Sequence, residues 1–184
     1  MKTLKELTWE HHKEAERQHF VKVLMSGKIL EEVYAVYLYN QHQAYNILEA
    51  VAMADGFFDD MPQLRRAPEI LKDFNELWTW KHKPWLCEST KKYVEYVHKN
   101  LMDNPEKIAA HIYVRHMGDL SGGQMIRKKT PGPNRYYKFA GLQQQEYKTI
   151  IKEKVEAYMN VYQINVLAEA RFCFESATQL FKEM

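Results

Sequence analysis

Hydrophobic residues recur every three or four positions along most of the chain, which is the period of an amphipathic α-helix. No segment shows the strict alternation of apolar and polar residues that is typical of a β-strand. The pattern therefore predicts an all-α protein. The predicted helices are a first one that opens after Thr3 and is interrupted at Gly27, then Ile29 to Met53, Pro62 to Trp80, Ser89 to Leu101, one from Asn104 into a glycine cluster, Leu142 to Ala157, and Asn160 to Lys182.

Local signals mark several of these boundaries. Thr3 and Glu6 have the spacing of a capping box, which satisfies free backbone N–H groups at a helix start. Asn104 followed by Pro105 predicts an N-cap with proline in the first helical turn. The segment from Thr130 to Arg135 contains two prolines and a glycine, so it predicts a loop.

Composition narrows the classes of protein that fit. A chain of 184 residues predicts a single domain, 1–184, and a net charge of +2 is too small to indicate a nucleic-acid partner. No stretch approaches the roughly 20 apolar residues of a membrane span, and no signal-peptide core follows the N-terminus. Cys87 and Cys173 form no Cys-x-x-Cys motif, which favours reduced thiols. We therefore expect a cytoplasmic protein that binds neither nucleic acid nor membrane.

Three glycines, Gly118, Gly122 and Gly123, fall within six positions of a predicted helix, although each helical glycine costs about 1 kcal/mol relative to alanine. In a continuous helix Gly118 and Gly122 lie about 40° apart on one face, which leaves the backbone open to a flat, bulky ligand and lets the helix bend. Asp119 and Arg115 place a carboxylate and a guanidinium beside that face. A helix contact or a helix end followed by a loop explains Gly122 and Gly123, but it explains Gly118 with Asp119 poorly.

The residues around these glycines carry a resemblance to a known family. Tyr113 to Gln124 closely resembles the distal-helix motif of the heme oxygenases, and Glu10 to Glu16 resembles their proximal pattern, a histidine followed by x-x-Ala-Glu. Tyr147 to Lys152 resembles the propionate-binding segment more loosely. The resemblance runs from Lys5 to Phe181 and is closest to the soluble bacterial, algal or phage type. It implies a helical bundle with heme between an N-terminal proximal helix and a kinked, glycine-rich distal helix.

The resemblance also implies roles for residues on the proximal side. His12 becomes the axial ligand of the heme iron, and Glu16, one turn later, accepts a hydrogen bond from the other ring nitrogen. A plain surface charge is the alternative for Glu16. Lys5 lies on the face of His12, about 10.5 Å along the helix axis, within reach of the edge of a porphyrin. The resemblance places Lys5 at the heme propionates together with Lys148, Lys152 and Tyr113, and it places Phe174 against the macrocycle.

On the distal side, the backbone at Gly118 and Gly122 is expected to cover the heme and direct dioxygen to one meso edge. Asp119 would order a water that supplies a proton, with Arg115 and Tyr45 orienting that carboxylate. His116 lies about 160° around the helix from Gly118, so we expect it to face away from the heme and to serve in packing.

Two residues depart from the family pattern. Val114 and Ala177 stand where threonine and asparagine are common, which predicts a thinner distal hydrogen-bond network.

The activity implied by the resemblance is that of a heme oxygenase, which opens heme at the α-meso carbon to biliverdin IXα, CO and Fe²⁺. Heme b would be both substrate and cofactor, with O₂ as the oxidant. Electrons would come from an external reductant because the sequence carries no flavin or Fe–S motif; a ferredoxin docking on the Lys-rich proximal side is the expected donor. A bilin reductase is a possible downstream partner.

Two other interpretations remain open from the sequence. A heme-binding or heme-trafficking protein would use the same pocket without turnover. A thiaminase-like hydrolase or a di-iron oxidase could share the fold, but neither cysteine has a convincing nucleophile context. Glu95 and His98 form one Glu-x-x-His spacing, and a di-iron site needs a convincing second.

Overall fold

The computed structural model describes residues 2–184 of the chain, and within that range it contains α-helices, two short 3₁₀ turns and no strand. The predicted all-α class is therefore confirmed; the predicted domain begins at Met1, which lies outside the described residues. The α-helices are α1 (Leu4–Leu7), α2 (Trp9–Glu16), α3 (His19–Ser26), α4 (Glu31–Ala54), α5 (Ala67–Leu77), α6 (Glu88–Asn100), α7 (Pro105–Leu120), α8 (Gly123–Ile126) and α9 (Gln144–Glu183). The 3₁₀ turns are Pro62–Leu64 and Arg135–Tyr137.

The N-terminal segment begins as predicted but is broken sooner. Thr3 and Glu6 form the capping box, with the Thr3 amide donating to Glu6 Oε2 over 2.7 Å. The helix then breaks at Thr8, whose hydroxyl donates to the Leu4 carbonyl over 2.8 Å. This side-chain bond competes with regular helix geometry. One predicted helix is thus three short ones before Gly27, which ends α3 in the left-handed conformation.

At the C-terminus the two predicted helices are present, but they meet at a kink without an intervening loop, and we number them together as α9. The backbone of α9 departs from helical geometry only at Tyr162 (φ −120°, ψ 37°). Val161 and Ile164 beside this bend are exposed, so the buried apolar face of α9 is interrupted there although the backbone remains helical on both sides. The predicted helix at Pro62 to Trp80 was too long, since this segment forms the 3₁₀ turn Pro62–Leu64 and the separate helix α5 at Ala67–Leu77.

The central helix α4 is buried along most of its length and packs against α5, α6 and α7. Its Glu49 carboxylate is buried and ties three helices together: one oxygen accepts from the Ala67 amide at the start of α5 over 3.0 Å, and the other meets His116 Nε2 of α7 at 3.0 Å. The Arg66 amide also donates to Glu49. A single carboxylate therefore caps one helix and fixes another beside it.

Helices α7 and α9 pack side by side with the same chain direction. Asn165 Nδ2 donates to Glu106 Oε1 over 3.3 Å, and further along both helices His111 Nε2 lies 3.0 Å from Glu169 Oε2. Cys173, one turn beyond Glu169, then lies 4.0 Å from the hydroxyl of Tyr93 on α6. These contacts with the C-terminal half of α9 fix the position of α7 along its own axis in the bundle.

Within residues 2–184, no helix combines the length and the apolar character needed to cross a membrane.

Candidate functional site

His12 lies on α2 with one side of its ring covered and the other open. Its Nδ1 atom is closed to solvent, 3.5 Å from Glu16 Oε2, while the whole side chain is 42% exposed. The exposed part of the imidazole therefore excludes Nδ1 and leaves Nε2 as the nitrogen that a metal can reach. The predicted hydrogen bond to Glu16 is not made, because 3.5 Å is an ion-pair separation and Nδ1 has no hydrogen-bond partner.

The neighbouring histidine points elsewhere, as the sequence predicted. His11 Nε2 lies 3.5 Å from Glu175 Oε1 of α9, whereas the His12 ring meets the Phe174 ring at 5.8 Å and 84°. Phe174 itself is buried. Phe174 thus packs against the predicted axial ligand, and its contact with a macrocycle stays a prediction.

The glycine cluster is a helix break rather than a continuous helix. Helix α7 ends at Leu120, and Ser121 (φ −118°, ψ −90°) turns the chain before α8 begins at Gly123. The 40° relation between Gly118 and Gly122 therefore does not apply, since the bend lies between them. Even so, Gly118 is exposed, and a Cβ built there would meet no atom within 4 Å.

The other two glycines have different surroundings. A Cβ at Gly122 would meet only the Gly118 carbonyl oxygen, at 3.8 Å, so this position is also open. A Cβ at Gly123 would lie 2.6 Å from the Tyr137 ring, which explains this glycine by close packing. The open backbone is therefore confined to Gly118 and Gly122, on the two sides of the bend.

Helix α9 holds the proximal and distal elements at the same height. Phe174 contacts His12, and its neighbour Cys173 faces α6 and α7. Counting along the parallel helices from the His111–Glu169 contact places Gly118 about half a turn beyond Phe174, at the level of Ser176. The open backbone of α7 and the imidazole of α2 are thus both set by one turn of α9.

Asp119 is the buried acid next to the open backbone. Its Oδ2 atom accepts a 2.7 Å hydrogen bond from the Tyr45 hydroxyl, so the predicted pairing of these residues is present. Burial raises the pKa of Asp119 to about 6, while the charge of His116 and the hydrogen bond from Tyr45 oppose the rise. An acid with a pKa near neutrality can both hold and release a proton under working conditions.

Arg115 makes no hydrogen bond to Asp119, and its part in orienting that carboxylate stays a prediction. Its Nε donates to the Tyr93 hydroxyl over 3.0 Å, and one terminal nitrogen donates to Gln41 Oε1 over 3.5 Å. The guanidinium reaches Asp119 only through Tyr45, whose ring lies 5.4 Å from the guanidinium carbon. The guanidinium is instead held by hydrogen bonds to Gln41 on α4 and Tyr93 on α6.

Beyond Arg115, a chain of buried polar side chains leads to the protein surface, and sequence reasoning did not predict it. The Tyr93 hydroxyl lies 2.8 Å from His111 Nδ1, and His111 Nε2 meets Glu169. Glu169 also accepts from the Tyr96 hydroxyl over 2.9 Å and lies 3.6 Å from Lys107 Nζ. Its members come from three helices, and no local motif marks any of them.

His116 is fully buried against Glu49, which agrees with the prediction that it serves in packing.

The residues predicted to bind the propionates at the edge of a heme lie at or near the protein surface. Lys5 and Lys152 are exposed and Lys148 is half-buried, and none of the three forms an ion pair within residues 2–184. Tyr113 is half-buried, and burial raises the pKa of its phenol. These roles stay predictions, and the lysines have the exposure that such a role requires.

The chemistry needed by the two rival enzyme classes meets obstacles in the described structure. Cys87 and Cys173 are both buried, and burial raises the pKa of the Cys87 thiol to about 11. Glu95 is exposed and pairs with Lys99 over 2.6 Å. A thiaminase-like hydrolase needs a cysteine that its substrate can reach, and both cysteines are buried. A di-iron oxidase that used Glu95 would need the Glu95–Lys99 ion pair to break.

The buried Asp119 should make stability depend on pH. A folded-state pKa near 6, above the ordinary aspartate pKa of 3.8, stabilises the fold fully below about pH 4, and this contribution is lost as the pH rises through about 6. Asp119→Asn, which cannot ionise, should therefore gain about 3 kcal/mol in the free energy of unfolding relative to wild type between about pH 4 and about pH 7.5. Urea unfolding of both apoproteins at the two pH values measures this difference. An unchanged difference would contradict the raised pKa.

Comparisons with known proteins give a consistent picture. The heme oxygenase family model matches residues 1–183. Heme oxygenase 2 of Oryctolagus cuniculus is 30% identical over 98% of this chain, which spans 64% of the length of that relative.

Solved structures agree with these sequence matches. The heme oxygenase of Leptospira interrogans superposes with a TM-score of 0.85 at 27% identity and covers 98% of this chain and 97% of its own. Heme oxygenase-1 of Synechocystis, solved in complex with heme, gives a TM-score of 0.84 at 24% identity and covers 98% of this chain and 89% of its own. The second likeness supports the fold alone.

Proposed function

The chain belongs to the heme oxygenase family, and we propose that it cleaves heme oxidatively at the α-meso carbon. The products would be biliverdin IXα, CO and Fe²⁺, with O₂ as oxidant and electrons from an external donor. The observation that carries this proposal is the pairing of an exposed imidazole on α2 with an open helix backbone at Gly118, both positioned by the same turn of α9.

The residues present fit a heme. His12 Nε2 would be the iron ligand, and the space where Gly118 and Gly122 lack side chains would admit a flat macrocycle close to the backbone. Lys5, Lys148 and Lys152 would supply cations for the propionates. When bound, heme supplies the iron centre at which dioxygen is activated.

The protein's own contribution to the reaction is to position the heme and supply protons. Asp119 holds a proton at a pKa of about 6, and Tyr45 fixes one oxygen of its carboxylate. In this arrangement Asp119 orders a water beside the open face and supplies it with a proton. With heme bound, the backbone at Gly118 would lie close to the ring and would restrict the approach to it.

A reconstituted reaction tests the proposal. Purified protein is mixed with one equivalent of hemin, ferredoxin, its reductase and NADPH in air, and the absorption spectrum is followed. Loss of the Soret band with growth of a biliverdin band supports turnover. A Soret band that persists under these conditions would instead indicate a heme-binding or trafficking protein. His12→Ala should alter the Soret band of the complex, and an unchanged band would remove His12 as the ligand.

Asp119→Ala should separate binding from turnover. We expect it to bind hemin like the wild type, because Asp119 is buried beside the open backbone rather than on the proximal helix. Conversion to biliverdin should fall by about 10²-fold or more, which is the usual contribution of a positioned proton donor. Single-turnover spectra measure both quantities, and turnover at the wild-type rate would remove Asp119 from the mechanism.

We propose a ferredoxin as the electron donor, on the basis of surface charge. Lys2, Lys22 and Lys28 are exposed in the N-terminal segment that also carries α2, they are not the lysines proposed for the propionates, and these cations would attract an acidic partner. Raising the ionic strength from about 0.01 M to about 0.15 M shortens the Debye length from about 30 Å to about 8 Å, so turnover driven by ferredoxin should slow several-fold. Reduction by dithionite serves as the control. Ferredoxin-driven turnover that is independent of salt would argue against electrostatic docking.

A further inference from the structure

Trp9 occupies an unusual place at the start of α2. Its side chain is 41% exposed, although indole is large and apolar. The indole ring lies 5.6 Å from the imidazole of His12, and the two planes are within 10° of parallel. Because the residues are three apart on one helix, they share a face. Lys13 Nζ lies 5.3 Å from the indole centre and adds a cation–π contact.

The His12 ring is therefore oriented by aromatic contacts rather than by a hydrogen bond. Metal-ligating histidines usually donate the second ring N–H to a carboxylate or carbonyl, which fixes the ring plane. Here Nδ1 is buried without a hydrogen-bond partner, and Glu16 is 3.5 Å away. In its place, Trp9 stacks on the imidazole, and Phe174 contacts it at 84°. We call Trp9 and Phe174 the aromatic clamp.

We propose that Trp9 is a positioning residue that, with Phe174, holds the His12 imidazole in one orientation before heme arrives. The part that concerns heme rests on the proposed function, whereas the stacking itself is a property of the apoprotein. A ring already held in its binding orientation loses less freedom when it becomes a ligand. Trp9 thereby strengthens heme binding and fixes the plane of the axial imidazole.

The effect of Trp9 should be moderate. A stacked aromatic pair contributes enough beyond simple burial to change an equilibrium constant by about 2- to 12-fold. We therefore expect Trp9→Leu, which keeps an apolar side chain but removes the ring, to raise the Kd for hemin by that factor. Trp9→Phe keeps a ring and should restore affinity to within about 2-fold of wild type.

The first measurement uses the apoprotein, so it does not depend on heme. The imidazole C–H proton signals of His12, identified by their loss in His12→Gln, should be shifted upfield by the indole ring current in wild type. Trp9→Leu should lose this shift, and Trp9→Phe should retain part of it. Trp85, which is 46% exposed on another part of the chain, provides the matched control as Trp85→Leu. His12 signals that are the same in Trp9→Leu and wild type would overturn the inference.

The second measurement adds hemin to each variant. Trp9→Leu should bind more weakly and should change the heme-methyl shifts of the cyanide complex, which report the plane of the axial imidazole, while Trp85→Leu should do neither. Trp9→Leu with wild-type affinity and wild-type shifts would overturn the inference alone. If wild-type protein fails to bind hemin, the proposed function falls, and the heme part of the inference falls with it.

Discussion

Gly118→Leu should weaken hemin binding by about 10- to 100-fold while the apoprotein becomes slightly more stable. The space beyond Gly118 is open, because a Cβ there has no neighbour within 4 Å, so a leucine enters without a clash in the apoprotein. In a helix, leucine is favoured over glycine by about 0.5–1 kcal/mol. The same side chain would fill the space proposed for the heme, and overpacking of this kind costs about 1–3 kcal/mol, a range that includes the roughly 1.4–2.8 kcal/mol of a 10- to 100-fold loss of affinity.

Gly123→Ala is the matched control for Gly118→Leu. A Cβ at Gly123 would lie 2.6 Å from the Tyr137 ring, so even a methyl group should destabilise the apoprotein there. Urea unfolding should therefore show a gain in the free energy of unfolding for Gly118→Leu and a loss for Gly123→Ala. Hemin titration of both variants gives their Kd values. A Gly118→Leu variant that binds hemin like the wild type would show that the heme does not lie against this backbone.

Glu49→Ala should lower the free energy of unfolding by about 3–5 kcal/mol, because it removes a buried carboxylate that accepts several buried hydrogen bonds. Glu49 and His116 are both fully buried, with Nε2 and Oε1 3.0 Å apart. Removal of the carboxylate also leaves the amides of Arg66 and Ala67 without their acceptor at the start of α5. Three buried donors would then lie unpaired between α4, α5 and α7.

Glu95→Ala tests whether burial, rather than distance, decides this effect. The Glu95–Lys99 pair is shorter, 2.6 Å, but both side chains are more than 60% exposed, so its loss should cost no more than about 0.5 kcal/mol. Urea unfolding of the two alanine variants at one pH gives the comparison. Equal losses of stability would show that Glu49 contributes no more than a surface ion pair.

The proximal histidine shows how far the sequence could predict the site. The spacing of His12 and Glu16 resembles the proximal pattern of the heme oxygenases, and this resemblance indicated which of two adjacent histidines to choose; the structure separates them, with His11 directed to Glu175. The same spacing predicted a hydrogen bond that is absent, because helix geometry brings the side chains within 3.5 Å and does not align them. The stack of Trp9 on His12 depends on side-chain rotamers, which spacing alone does not specify.

The glycine cluster gave a partly correct prediction. An open backbone near Asp119 was expected from the residues, and the space beyond Gly118 agrees with it. A continuous helix through Gly122 was wrong, because the break falls at Ser121, whose conformation no local pattern indicated. Glycine permits a bend, but the packing of α8 against the rest of the bundle decides where it occurs.

The sequence by itself determined the all-α class, the capping box at Thr3 and the glycine-rich motif, because each depends on residues within one or two helical turns. The choice of His12 as the axial ligand came from the family resemblance and stays a prediction. Only the tertiary structure decided which buried polar groups meet. Tyr45 with Asp119, Glu49 with His116 and His111 with Glu169 are 74, 67 and 58 residues apart. The physical reason is that apolar periodicity determines which face of a helix is buried, whereas the rotation and height of one helix against another determine which polar side chains pair on that face.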